Sequence, residues 1–272
     1  MTPSVLEFSA RAGITHTFED PTETQLHAEL VRLAVTSTRA QRVLDVGCGA
    51  GIATLEAVRA GAREVVGIDA ERTSVEIARA NIRRAGLTAH ASAHFASWED
   101  VRFGRFPTCP DLLVSNPPYV PGGSGRAVDG GFYGTSLLDS IIDHVPSGAR
   151  AVALLFGSIT DPITFLSRVA ARGFEVTHLF GHSVPFGRYT SLPSTLRHLR
   201  FLRERGRAFF CDVPAVPGCA PHAYLTLGLI AHRNPAAAAH TEALQKATRA
   251  CLVGYQETSV DTLSSAPKRA AS

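Results

Sequence analysis

Runs of apolar, β-branched residues recur along this chain and alternate with segments in which apolar positions return every three or four residues. RVLDV (42–46), EVVGID (64–69), DLLVSN (111–116) and RAVALLF (150–156) have the first character, as does a weaker stretch over 89–95. Their apolar content is that of strands buried on both faces rather than one. The segments near 51–61, 72–85, 134–145 and 160–172 carry helical periodicity. Strand and helix in alternation predict βαβ units and a mostly parallel sheet covered on both sides. Two more strands are expected near 173–180 and 222–231, yet about forty residues separate them, too many for a tight turn. Upstream, DPTET opens an amphipathic helix over 22–36, with Pro21 near its start and acids in its first turn. Downstream, PAAAAHTEALQKATRACLV (235–253) reads as a helix and QETSVDTLSSAPKRAAS as a polar, flexible tail.

Composition narrows this picture in three ways. A chain of 272 residues suits one large domain with appendages. The net charge of +3 is too mild to argue for nucleic acid. The five cysteines are scattered without a CxxC pair, which speaks for reduced thiols and against a disulfide framework or a zinc ribbon. His178 and His182 would stand about 13 Å apart on a strand, too far to share one ion, so no metal is expected. The first residues lack the apolar core of a signal peptide, and no apolar run is long enough to span a bilayer. A cytoplasmic protein is the expectation.

Candidate chemistry begins at VLDVGCGAG, where Gly47, Gly49 and Gly51 follow the first strand and open a helix. A dinucleotide site would ask for GxGxxG with its pyrophosphate at the helix N-terminus. Here the spacing is GxGxG, and Asp45 stands just before it, where a carboxylate repels a pyrophosphate but can hold an ammonium group. Asp69 ends the second strand and can accept two ribose hydroxyls. A ligand with an amino-acid end and a ribose fits better than NAD.

The fourth strand ends in Ser115-Asn116-Pro117-Pro118-Tyr119. In open α/β sheets ligands sit beyond the carboxyl ends of the strands, so Asn116 faces the same crevice as the glycine loop. Its side-chain oxygen can accept from a substrate N–H. Pro117 and Pro118 have no N–H, and their rings turn the backbone so that a carbonyl points inward. Tyr119 can lie against a flat group or face a sulfonium. Such parts suit a planar nitrogen, whose delocalised lone pair becomes nucleophilic when acceptors orient its hydrogens.

Asp45, the glycines and Asp69 resemble the S-adenosylmethionine motifs of class I methyltransferases, which implies that Asp45 and the glycines hold the methionine half and Asp69 the ribose. DLLVSNPPYVP followed by AVDGGFYG (127–134) is similar to the release-factor glutamine methyltransferases and their relatives with a small methyltransferase domain. The resemblance covers roughly 18–160. It implies a catalytic role for Asn116, Pro117 and Tyr119, with Pro118, Tyr119 and Asp129 against the substrate. The sequence departs from that pattern in three places. Only 44 residues precede Asp45, too few for the family's helical recognition domain. Where the family places an acid for the adenine amino group stands Ser97, for which Trp98, Glu99 or Asp100 would compensate. Finally, residues 183–221 are inserted before the last strand.

That insertion carries six arginines, Arg188, Arg197, Arg200, Arg203, Arg205 and Arg207, against Glu204 alone in the stretch 187–207. Leu196, Leu199 and Leu202 mark one helical face there. The arginines suit either a solvated basic face or, through Arg188 and Arg197, an anionic group of the substrate. Thr22 and Glu23 either cap their helix or touch the site. The whole is expected to be a class I methyltransferase with a Rossmann-like, mostly parallel seven-stranded sheet over 41–232. An N-terminal helical cap (1–40), a lid (183–221) and a C-terminal helix with its tail (233–272) complete it. The expected reaction is N-methylation of a small, anionic or peptide-like biosynthetic acceptor, leaving S-adenosylhomocysteine. A protein glutamine or a nucleic-acid adenine is the alternative acceptor, and a non-catalytic cofactor binder the alternative class.

Overall fold

The computed structural model describes residues 21–122, 129–213, 221–237 and 241–257. The first twenty residues of the expected cap and most of the polar tail lie outside them. Strands β1 (Arg42–Val46) and β2 (Glu64–Asp69) coincide with the apolar runs that predict them, and β3 (Ala91–Phe95), β4 (Leu112–Ser115) and β5 (Ala151–Gly157) fall within a residue or two. All five are parallel, in the order β3-β2-β1-β4-β5. Alternate residues of each strand feed opposite layers, as the two-residue period of a strand requires. Val43, Leu112, Val114, Ala151, Ala153 and Leu155 pack on one side, and Leu44, Val46, Leu113, Val152, Leu154 and Phe156 on the other. Helices α1 (Pro21–Thr38), α2 (Ile52–Arg59) and α3 (Arg72–Arg84) cover the first layer. The second is covered by α4 (Trp98–Arg102), α5 (Ser136–Asp143) and α6 (Pro162–Ala171). The five-residue α4 is too short to leave a periodicity in the sequence.

The remaining strands explain where the insertion goes. β6 (Phe174–Pro185) and β8 (His222–Arg233) pair antiparallel, and β8 also pairs antiparallel with β5. β5 ends at Gly157 opposite Thr226, whereas the β6–β8 pairing continues to Pro185 and Ala223. The hairpin therefore overshoots the carboxyl edge of the parallel strands and carries the insertion to that edge. The insertion forms α7 (Pro193–Glu204) and a three-residue strand β7 (Phe210–Asp212), which pairs β8 and makes the sheet eight-stranded instead of seven.

Beneath the insertion the space is filled by side chains. Ile159, Val184, Phe186, Leu199, Phe210, Tyr224 and Tyr119 form one buried cluster there. The last helix, α8 (Thr241–Glu257), begins later than 235 because Asn234 closes a turn, its side chain accepting from the Ala236 N–H at 2.9 Å. Leu252 of α8 packs against Ile163 and Phe209. No helix among the described residues is long and apolar enough to cross a membrane.

Candidate active site

Strand order reverses between β1 and β4, and two of the buried polar atoms that the fold leaves unpaired, on Asp45 and Asn116, lie at the carboxyl ends of these strands. Asp45 lies fully buried near the end of β1. Thr54, on α2, donates to its Oδ2 at 2.7 Å, while Oδ1 is buried without a partner. Burial, with Asp69 adding to it against the opposing Thr54 hydrogen bond, pushes the Asp45 carboxyl up to about 7. An opposite charge brought to Oδ1 would remove that penalty.

The glycine loop that follows is closed on itself. The N–H groups of Gly47 and Cys48 both donate to the Ile68 carbonyl at 2.9 Å, and Gly49 donates to Asp69 Oδ2 at 2.8 Å. The amides that a pyrophosphate would need are thus already engaged. Gly47 leaves open space where a side chain would stand. Asp69 braces the loop against α3, because its Oδ1 also accepts from the Glu71 N–H at 2.8 Å. Cys48 is buried, and burial pushes its thiol up, as suits a small filler.

One strand over, Ser115 donates to the Val46 carbonyl at 2.7 Å and locks the end of β4 to that of β1. Asn116 comes next, and its Oδ1 is buried without a partner. Tyr119 does not face the crevice as expected. Its ring lies on Gly157 and is 5% exposed, and its hydroxyl donates to Glu23. Tyr224 donates to the same carboxylate oxygen at 2.8 Å, with the two hydroxyls 3.0 Å apart. Burial first, then Tyr224 and Glu23 around Tyr119 and Glu23 beside Tyr224, raises both hydroxyls and keeps them protonated and able to donate. Glu23 is the buried pin between α1, the Asn-Pro-Pro-Tyr turn and β8, a contact with the site's corner rather than a helix cap. His27, one turn further along α1, lies outside the sequence motifs. It is buried, its Nε2 has no partner, and burial lowers it to about 4. Its signal in the sequence was the i, i+4 spacing from Glu23.

The Asp-Gly-Gly loop buttresses that turn. Asp129 Oδ1 accepts from the Gly131 N–H at 2.8 Å, so the expected substrate contact is a loop brace. A Cβ on Gly130 would stand 2.7 Å from Tyr119 Cα, and one on Gly134, at φ +77°, 2.4 Å from the Tyr119 carbonyl oxygen. Only glycines let the two loops touch.

Residues 22–116 match the model of the ribosomal protein L11 methyltransferase family. A Methanocaldococcus jannaschii protein provisionally assigned as a protein N5-glutamine methyltransferase is 28% identical over 157 residues, or 53% of this chain and 76% of that protein. The chain is a class I S-adenosylmethionine-dependent methyltransferase. It resembles the glutamine methyltransferases. The Dechloromonas aromatica L11 methyltransferase is 50% identical over 75 residues, which is 28% of this chain and 24% of that enzyme. The methyltransferase thus spans about a quarter of the L11 enzyme's length. Among solved structures, a Pyrococcus horikoshii protein provisionally assigned as an RNA methyltransferase superposes with a TM-score of 0.54 at 15% identity. That alignment covers 86% of this chain and all of the other, a likeness of fold.

On the other side of the crevice, the methyltransferase corrects the expected adenine contacts. Ser97 is the N-cap of α4 in a capping box with Asp100, its N–H and hydroxyl reaching Asp100 Oδ2 at 2.9 and 2.8 Å. Those bonds and Arg105 lower the Asp100 carboxyl to about 2. Glu99 pairs with Arg102 at 3.3 Å. Trp98 is buried and donates to Ser140 Oγ at 3.0 Å, which anchors α4 to α5. What stands beside Asp69 instead is exposed Phe95, its partner in the β2–β3 register, with the Arg72 guanidinium 4.6 Å over its ring.

The insertion's arginines divide. Arg203 pairs with Asp212 at 3.4 Å, and Arg207 with Asp161. Arg188 lies beside Tyr189, and Arg197 sits on the solvent side of α7, opposite buried Leu199 and Leu202.

Proposed function

We propose that the methyltransferase methylates the side-chain amide nitrogen of a protein glutamine. The observation that carries this reading is Asn116 Oδ1, a buried acceptor left unpaired beyond the end of β4. A buried polar atom without a partner costs about 1–3 kcal/mol, and an amide N–H arriving from a substrate would recover it. The Pro117 carbonyl offers the second acceptor. With both hydrogens held, the lone pair of the amide nitrogen is drawn out of conjugation and aimed. The amide proton passes to water after transfer, so no residue need act as a strong base.

The cofactor, when bound, supplies an electrophilic methyl on its sulfonium. Asp45 Oδ1, buried and unpaired, would take the ammonium of its amino-acid end. Open space at Gly47 would admit the chain, and Asp69 would use its remaining lone pairs on the ribose. Two observations support a protein acceptor over a small one. A relative aligned over about half of this chain carries a protein-glutamine assignment, and the volume beneath the insertion is filled by side chains.

The test is transfer of labelled methyl to glutamine peptides, adenine oligonucleotides and free amides in parallel. Asn116→Ala should bind S-adenosylhomocysteine as before and lose at least about a hundredfold in kcat. Label entering only oligonucleotides or free amides would overturn the acceptor, and full activity of the variant would overturn the role of Asn116.

A further inference from the structure

Six large hydrophobic side chains stand exposed among the described residues, and three of them, Phe132, Tyr133 and Phe201, meet in one place. Phe132 and Tyr133 belong to the loop packed against the Asn-Pro-Pro-Tyr turn, and Phe201 lies on the solvent side of α7. The patch is built rather than accidental. His198 Nε2 donates to the Phe132 carbonyl at 2.7 Å, fastening α7 to that loop. The Phe132 ring meets Tyr133 at 4.8 Å and His198 at 4.6 Å, and Phe201 stands at 6.3 Å. Rings of this size left in water are unfavourable unless something covers them, and exposed apolar groups gathered at the mouth of a site mark an interaction surface.

The charge around the patch has one sign. Arg197 lies one helical turn before Phe201 on the same exposed stripe, and Arg200 is its neighbour. Neither makes an ion pair among the described residues, and Glu204 is the one acid on α7. Single-stranded nucleic acid would use such arginines, but it needs open ring faces for its bases. Here the faces are taken. The Arg205 guanidinium lies 3.6 Å over Phe201, His198 is stacked on the same ring at 6.0 Å, and Arg207 lies 5.7 Å over Tyr133.

We propose that this aromatic and arginine face docks an acidic protein segment bearing an apolar anchor, holding it beside the glutamine to be modified. The apolar anchor would pack on Phe132 and on the exposed edge of Phe201, and acidic side chains would pair with Arg197 and Arg200. This docking role rests on the protein-glutamine reading, and extends it by naming the charge and character of the substrate's flank.

The test is fluorescence anisotropy with the full chain, no cofactor added, and three labelled probes. These are a glutamine-centred peptide with acidic flanks and one leucine, its lysine-flanked counterpart, and a single-stranded RNA. The acidic peptide should bind, and salt should weaken it; the lysine peptide should bind at least tenfold more weakly. Arg197→Glu with Arg200→Glu, and separately Phe132→Ser with Phe201→Ser, should each reduce acidic-peptide affinity at least tenfold. Both variants alter surface side chains, and each must keep the parent's melting temperature and S-adenosylhomocysteine affinity. Equal binding of both peptides, unchanged binding by the variants, or tighter binding of the RNA at this face overturns the proposal. Methyl transfer separates the two readings. Acidic peptide that docks but is not methylated removes the glutamine acceptor and keeps the face. Both peptides methylated alike by parent and variants removes the face and keeps the acceptor.

Discussion

Replacing Asp45 with Asn should stabilise the empty protein and disable it, with a pH dependence that identifies the cause. The carboxyl titrates at about 7 in the folded chain against 3.8 for an ordinary aspartate, chiefly because it is fully buried. Between those values the folded state holds a proton that the unfolded chain has released. Stability therefore falls as pH rises through that window and levels off above 7. Three pKa units correspond to about 4 kcal/mol, of which about 2–3 kcal/mol is lost between pH 5 and pH 8. Asn keeps an acceptor for Thr54 and has no charge to desolvate, so its stability lacks this slope. The melting temperature of Asp45→Asn relative to the parent should rise by roughly 5–10 °C between pH 5 and pH 8, measured without cofactor. Calorimetric titration supplies the second half. In the parent, about one Asp45 in ten is ionised at pH 6, so S-adenosylhomocysteine should bind about tenfold more weakly there than at pH 8, with a proton released on binding. The variant should lose at least about thirtyfold at pH 8, since it leaves a buried ammonium unpaired. A melting-temperature difference that does not change with pH, or a variant that binds like the parent, would refute the reasoning.

Three further outcomes are expected. Thr54→Val removes the hydrogen bond that opposes the upward shift of Asp45, so the midpoint of the pH profile for S-adenosylhomocysteine binding should move above 7, read by the same titration. Glu23→Gln weakens the charge-assisted bonds from Tyr119 and Tyr224; urea unfolding should show a loss of about 1–3 kcal/mol, and kcat should fall more than cofactor affinity. Gly134→Ala puts a Cβ against the Tyr119 carbonyl at positive φ and should cost both melting temperature and activity. Gly187→Ala meets nothing within 4 Å and serves as the neutral comparison.

What the sequence determined by itself is what neighbouring residues encode. Short apolar runs set β1 and β2 to the residue, and strand–helix alternation implied a parallel sheet whose carboxyl ends share one crevice. That was enough to bring Asp45, the glycine loop, Asp69 and Asn116 to a common edge. The three-residue β7 and the five-residue α4 are shorter than any period that could announce them. The partners of polar atoms were equally hidden, because satisfaction is decided across the whole fold. Tyr119 meets Glu23 and Tyr224, 96 and 105 residues away in the chain, and so became a structural pin instead of a face for substrate. Ser97, read as part of an adenine site, is occupied in capping α4, and Trp98 lies beneath it in the core. Packing likewise filled the space under the insertion and left Phe201 exposed beside Phe132, in the loop against the Asn-Pro-Pro-Tyr turn. Local sterics and periodicity choose the elements, but only their packing decides which hydrogen-bonding atoms and which apolar faces remain unpaired, and a reactive site is made from those.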